Sequence, residues 1–184
     1  VSYSFPQESK GLGYAPAEVD EFIGRARRQF EDPSQFLVSS GLARHATFSL
    51  VKGGYSIAAV DTAIDRLEDT FAQKELAKQR AELGDFALDD RLARFVESLQ
   101  KRIDRPAGKR FSRASWPLRG YAPKQVDAFC QNLERFLVAG ATLTAADVRS
   151  ELFRAKRGGY AENQVDAFLD RAIEVIQLRK ALGK

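Results

Sequence analysis

The chain has 184 residues, of which 29% are charged and 44% hydrophobic, and carries a net charge of +4. That balance reads as globular and soluble and excludes a disordered chain, and the length accommodates one medium domain or two small ones with a buried core. A single cysteine, Cys130, excludes an internal disulfide and fits a reducing compartment, and no apolar run approaches the ~18 residues of a membrane span.

From the start, Tyr3 to Gly13 reads as irregular, with Phe5-Pro6 and two glycines. No signal-peptide pattern opens the chain; with no Met anywhere, residue 1 reads as a boundary or a trimmed start. The first organised stretch is Gly13-Tyr14 followed by Val19-Asp20. The same Gly-Tyr-x-x-x-x-Val-Asp string returns at Gly54-Tyr55 with Val60-Asp61, at Gly120-Tyr121 with Val126-Asp127, and at Gly159-Tyr160 with Val165-Asp166. Three copies continue to a phenylalanine, at Phe22, Phe129 and Phe168; the second has Ala63 there. Repetition at fixed internal spacing defines the unit of construction.

Each copy reads as a turn that opens a helix. Glycine permits positive φ and so marks the turn. Pro16 and Pro123 suit the first helical position, which makes Ala15, Ser56, Ala122 and Ala161 the N-caps. Tyrosine before the cap and valine at the fourth helical residue then form a hydrophobic staple. Glu18, Gln125 and Gln164 fall at the third helical position, where they are expected to reach back to the cap N–H. The aspartates are expected to bond locally, near the positive end of the helix dipole.

Helix follows from Pro16 through Val19, Phe22, Ile23, Ala26 and Phe30, and Pro33 stops it. A short helix is expected over Ser34 to His45. Ile57, Val60, Ile64, Leu67 and Phe71 then alternate three and four apart, as in a coiled-coil seam. Gly84 breaks or bends that helix, and Leu88, Leu92, Phe95, Leu99 and Ile103 form a further stripe. Lys101 to Arg119 is strongly basic and reads as an extended linker. Helices follow from Pro123 to Val138, from Thr144 to Phe153, and from Glu162 to Leu182.

The tyrosines show a higher order. Tyr14 to Tyr55 is 41 residues, Tyr121 to Tyr160 is 39, and the interval between the pairs is 66. Ser39 to Tyr55 aligns with Thr144 to Tyr160, placing Arg44 over Arg149 and Phe48 over Phe153. The expected fold is all-α: four turn–helix modules in two duplicated cassettes with coiled-coil-like packing. The cassettes are residues 1–84 and 111–184, with a helical connector and basic linker at 85–110.

Leu143-Thr144-Ala145-Ala146-Asp147-Val148, then Phe153, Gly159-Tyr160 and Val165-Asp166-Ala167-Phe168-Leu169, resemble the N-terminal domain of the DivIVA family. The match covers about 30 residues of the fourth copy and is partial in the other three. Members of that family are bacterial division and polar-growth scaffolds that recognise curved membrane, and in them a turn ahead of Gly-Tyr presents an aromatic–arginine pair to lipid. Here Leu118-Arg119 keeps an apolar residue followed by arginine, Gly11-Leu12 keeps the apolar residue, and Lys52-Gly53 and Arg157-Gly158 keep the basic one. The resemblance implies a non-enzymatic scaffold or adaptor, cytoplasmic and peripheral at the inner face of the plasma membrane, at septum or pole. Its implied partners are other division or envelope-growth proteins, itself, or an anionic membrane surface. Module-tip residues for docking are Leu12, Lys52, Trp116, Leu118, Arg119, Lys156 and Arg157.

An alternative is an adaptor without membrane contact. Another is nucleic-acid binding through Lys101 to Arg119, with Phe111 and Trp116 as stacking rings. Catalysis finds little support. His45 is the only histidine, Asp89-Asp90 are sequence neighbours that do not face one site, and Gly53-Gly54 and Gly158-Gly159 lack a following Walker Lys-Ser/Thr. No cofactor or metal site is expected, and Cys130 reads as a small buried apolar residue.

Overall fold

The computed structural model describes residues 5–9, 11–32, 34–115 and 117–184. Tyr3, Pro33 and Trp116, each given a role above, lie outside the described residues. The chain divides into two compact units, Val1–Lys78 and Gln79–Lys184. Residues 85–110 therefore belong with the second unit.

The first unit opens with strand β1 (Leu12–Tyr14), followed by helix α1 (Pro16–Glu31), the five-residue helix α2 (Ser40–Arg44) and strand β2 (Leu50–Lys52). It also includes the first part of α3 (Ile57–Ile103). β1 and β2 pair antiparallel, with Leu12 opposite Lys52 and Tyr14 opposite Leu50. Gln29 of α1 holds the following loop, its amide oxygen accepting from the N–H groups of Leu37 and Val38, both at 2.6 Å. Val19, Phe22 and Ala26 of α1 share one buried cluster with Val60, Ile64 and Phe71 of α3. The seam of α3 thus finds apolar company inside its own unit, and Phe30 stacks on Phe71 at 5.0 Å. A buried ion pair, Arg44 to Glu68 at 2.8 Å, ties α2 to α3.

The second unit contains the end of α3, then β3 (Arg119–Tyr121), α4 (Pro123–Ala139), α5 (Ala145–Arg149), β4 (Ala155–Arg157) and α6 (Glu162–Leu182). α3 is broken at Gly84, whose φ of 80° and ψ of 169° are not helical. Arg91 donates to the Gln79 amide oxygen at 2.9 Å across this point. A straight helix would hold residues twelve apart ~18 Å from each other, so the bend at Gly84 is sharp. β3 and β4 pair antiparallel, with Arg119 opposite Arg157. Val126, Cys130 and Leu133 of α4 and Val165, Ala172 and Val175 of α6 are fully buried. α4 ends on Gly140 in the left-handed region. α5 begins with a capping box between Thr144 and Asp147.

The structure corrects four expectations. The fold is mostly helical but not all-α, because two short antiparallel sheets are present. The helices expected over Ser34 to His45 and over Thr144 to Phe153 are confined to Ser40–Arg44 and Ala145–Arg149. The stretch Lys101 to Arg119 is no extended linker: α3 runs to Ile103, and Arg110 and Phe111 are buried at 8% and 4% exposure. Finally, the motif glycines Gly13, Gly54, Gly120 and Gly159 do not have positive φ. The positive values belong to the residues before two of them, Gly53 (68°) and Gly158 (61°).

Candidate interaction site at the strand-pair ends

The motif glycines are required by close backbone approach. A Cβ on Gly13 would lie 2.4 Å from the Tyr55 carbonyl oxygen, and one on Gly54 would lie 2.5 Å from that of Tyr14. In the second unit a Cβ on Gly120 would lie 2.0 Å from the Tyr160 oxygen, and one on Gly159 would lie 2.4 Å from the Gly120 oxygen. Two motifs therefore cross glycine on glycine in each unit. Tyr14 and Tyr55 exchange backbone hydrogen bonds at 2.9 and 2.8 Å, and Tyr121 and Tyr160 do the same at 2.9 and 2.8 Å.

The crossing sends each tyrosine hydroxyl to the aspartate of the other motif, not to a local partner as expected. Tyr160 donates to Asp127 at 3.0 Å, and Tyr55 reaches both carboxylate oxygens of Asp20 at 3.2 and 3.3 Å. Tyr14 is hydrogen-bonded to Asp61 and Tyr121 to Asp166. Burial, then the facing carboxylate, raises the hydroxyl pKa of Tyr14, Tyr55 and Tyr121, the last to about 12; burial is also the main cause at Tyr160. The motif valines Val19, Val60, Val126 and Val165 are each 0% exposed.

The third helical residues also reach across. The Glu18 carboxylate accepts from the Ser49 N–H at 2.7 Å, while Ser49 O accepts from the Ala15 cap N–H at 2.8 Å. Gln125 and Arg154 repeat this clip at 2.7 Å with the Ala122 N–H, and Gln164 and Ser112 at 3.0 Å with the Ala161 N–H. At the fourth joint the clipped residue is Pro6, which has no N–H to offer, and Ala59 stands at the third helical position. Caps without a useful side chain are thus served by the neighbouring backbone.

Ring partners precede each motif. Phe48 packs on Tyr14, Phe5 on Tyr55, Phe153 on Tyr121 and Phe111 on Tyr160, with centroids 5.2–5.4 Å apart. The sequence aligned Phe48 with Phe153 but not Phe5 with Phe111. They lie 8, 6, 9 and 6 residues ahead of the motif glycine in chain order, and this uneven spacing hid two of them.

Much of the basic stretch serves the motif crossing of the second unit. Arg110 donates to Ile103 O at 2.9 Å and pairs with Asp127 at 3.2 Å. The Gly108 N–H donates to the same carboxylate at 2.7 Å. Arg102 lies over the Phe111 ring at 5.1 Å, and Arg113 donates to Gly158 O and Gly108 O at 2.9 and 2.7 Å. Phe111 is therefore not an exposed stacking ring. Cys130 is 0% exposed, and burial pushes its thiol up to about 12, which removes it as a nucleophile near neutrality.

The described tip residues named from sequence lie at the surface, at the end of each strand pair. Leu12, 52% exposed, stands opposite exposed Lys52, with Leu50 and Val51 exposed beside it. In the second unit Leu118, 65% exposed, precedes Arg119, which faces Arg157; Lys156 is exposed next to it. The structure brings Leu12 and Lys52 together, and separately Leu118, Arg119, Lys156 and Arg157. The turns beyond β2 and β4 close through Gly54 N–H to Val51 O and Gly159 N–H to Lys156 O. Exposed leucine beside clustered cations suits an anionic, partly apolar surface. Leu50 and Val51 were not expected at this site, and only the strand pairing reveals them.

Among the described residues no group of His, Cys, Asp and Glu could hold a metal ion, and no helix is long and apolar enough to cross a membrane. No protein family, curated protein or solved structure matches the chain.

Proposed function

We propose that the chain is a non-enzymatic scaffold or adaptor of the bacterial division or polar-growth machinery, built from two copies of one crossed pair of turn–helix modules. Its strand-pair ends dock on anionic membrane at the inner face of the plasma membrane, and its other partners are envelope-growth proteins or itself. The observation that carries this reading is the pairing of exposed leucine with cations at both ends: Leu12 with Lys52, and Leu118-Arg119 with Arg157. The resemblance of the motif to the DivIVA family supports the cellular setting. The recurrence of the glycine crossing and the tyrosine–aspartate exchange in both units supports the duplication.

Flotation with vesicles tests the docking. The chain is expected to float with phosphatidylglycerol-containing vesicles and to stay down with phosphatidylcholine alone. Each cation near such a surface contributes ~1 kcal/mol. Arg119→Gln with Arg157→Gln should therefore lower the partition coefficient roughly thirtyfold. Equal flotation with neutral vesicles, or no change in the double variant, would count against the reading.

A further inference from the structure

Three of the four motifs place phenylalanine eight residues after the tyrosine, and in each the ring meets the phenylalanine that precedes the other motif. Phe22 lies edge-on to Phe48 at 5.9 Å, Phe129 to Phe153 at 6.3 Å, and Phe168 to Phe111 at 5.3 Å. By the same rule Phe5 should meet residue 63, but residue 63 is alanine. Where the ring would lie, the first unit has an open groove of about 370 Å³. Phe5, Ile23, Phe30, Ala63 and Leu67 line it. Phe111, the counterpart of Phe5, is 4% exposed under its phenyl partner; Phe5 is only half-buried.

Two features define what fits. The walls are apolar and include two rings, Phe5 and Phe30, whose edges and faces suit an incoming aromatic ring. Arg27 and Arg66 also line the groove, with no carboxylate among its described lining residues. Arg27 is engaged by Glu31 at 3.0 Å, and the Arg66 side chain is exposed. Cations at the rim of an apolar groove favour a ligand with carboxylates flanking its apolar part. The second unit supplies the shape precedent, because the related place there holds a phenylalanine ring.

We infer that this groove is a docking site for a phenylalanine side chain on an acidic partner segment, which supplies in trans the ring that Ala63 omits. This inference does not rest on membrane docking, since the groove shares no residue with the strand-pair ends.

The test titrates a blocked Asp-Glu-Phe-Asp-Glu peptide into the full chain by calorimetry or heteronuclear NMR. The parent should bind it, with shifts confined to the residues around Phe5, Ala63 and Leu67. Ala63→Phe should fill the groove, raise Tm and weaken binding at least tenfold. Ala63→Leu is the second variant should the larger ring fail to fold; it should weaken binding less. Arg66→Glu should also weaken binding, most at low salt. Replacing the peptide's phenylalanine by alanine should abolish binding. No binding by the parent, undiminished binding by folded Ala63→Phe, or equal binding of a lysine-flanked peptide would each overturn the inference. Vesicle flotation of Ala63→Phe should match that of the parent, so failure here and failure of membrane docking are separable.

Discussion

At Gly120 a methyl group would lie 2.0 Å from a backbone oxygen, and no side-chain rotation can relieve that contact. The two segments would have to separate, breaking the Tyr121–Tyr160 exchange. Gly120→Ala should cost about 3 kcal/mol or more, at the upper end for overpacking. Gly158 is the contrasting case. Its φ of 61° is strained for alanine, but an added Cβ has nothing within 4 Å. Gly158→Ala should cost about 1–2 kcal/mol, the usual left-handed penalty. Chemical denaturation of the two variants checks the order; equal costs would remove the close-approach account. The repeat marks the motif glycines, but the positive φ expected of them is absent. Positive φ is a local property, whereas the true constraint comes from a chain segment about 40 residues away.

The tyrosines make stability depend on alkaline pH. Burial and the facing Asp166 raise Tyr121 from 10.0 to about 12, and the other three motif tyrosines move the same way. A group with a raised folded pKa contributes stability that is whole below its unfolded value and lost as pH rises through the folded one. Tm should therefore fall between about pH 10 and pH 12, and Tyr121→Phe should show a shallower fall. An unchanged slope in that variant would contradict the assignment.

At the scale of elements, the long helices were legible because apolar residues recur at helical spacing and because Pro16 and Pro123 mark two starts. The strands were not. Each is three residues long, two have every residue exposed, and backbone bonds rather than a side-chain pattern define them. The helix expected after Asp32 is shortened because Gln29, a side chain on α1, holds the backbone of Leu37 and Val38 in a loop. The break expected at Gly84 is present. Its φ and ψ fall in a region almost confined to glycine, where strain costs ~1–3 kcal/mol for other residues. Gly84→Ala should destabilise by that amount, read as a shift in the denaturation midpoint, and a neutral or stabilising outcome would contradict the bend. Cys130 reports on α4 independently. It should resist a thiol reagent in the folded chain and react fully in denaturant, since it is 0% exposed with its thiol pushed up to about 12. Prompt labelling under native conditions would mean that α4 is not packed as described.

For the molecule as a whole, four similar segments satisfy one another in pairs, within one chain. Repetition could be read from spacing alone, but not the division between units, which falls after Lys78 inside α3; nor could the crossing, because nothing in a single motif says whose aspartate its tyrosine will find. The residues proposed for docking can be named from sequence but not grouped, since Leu12 and Lys52 are 40 positions apart and meet only through β1 and β2. The most direct test is a pair of double-mutant cycles in the second unit. Tyr160→Phe combined with Asp127→Asn, across motifs, should show a coupling of about 1 kcal/mol or more. Tyr160→Phe combined with Asp166→Asn, within one motif, should be additive to within about 0.5 kcal/mol. Coupling confined to the within-motif pair, or absent from both, would contradict the crossed arrangement.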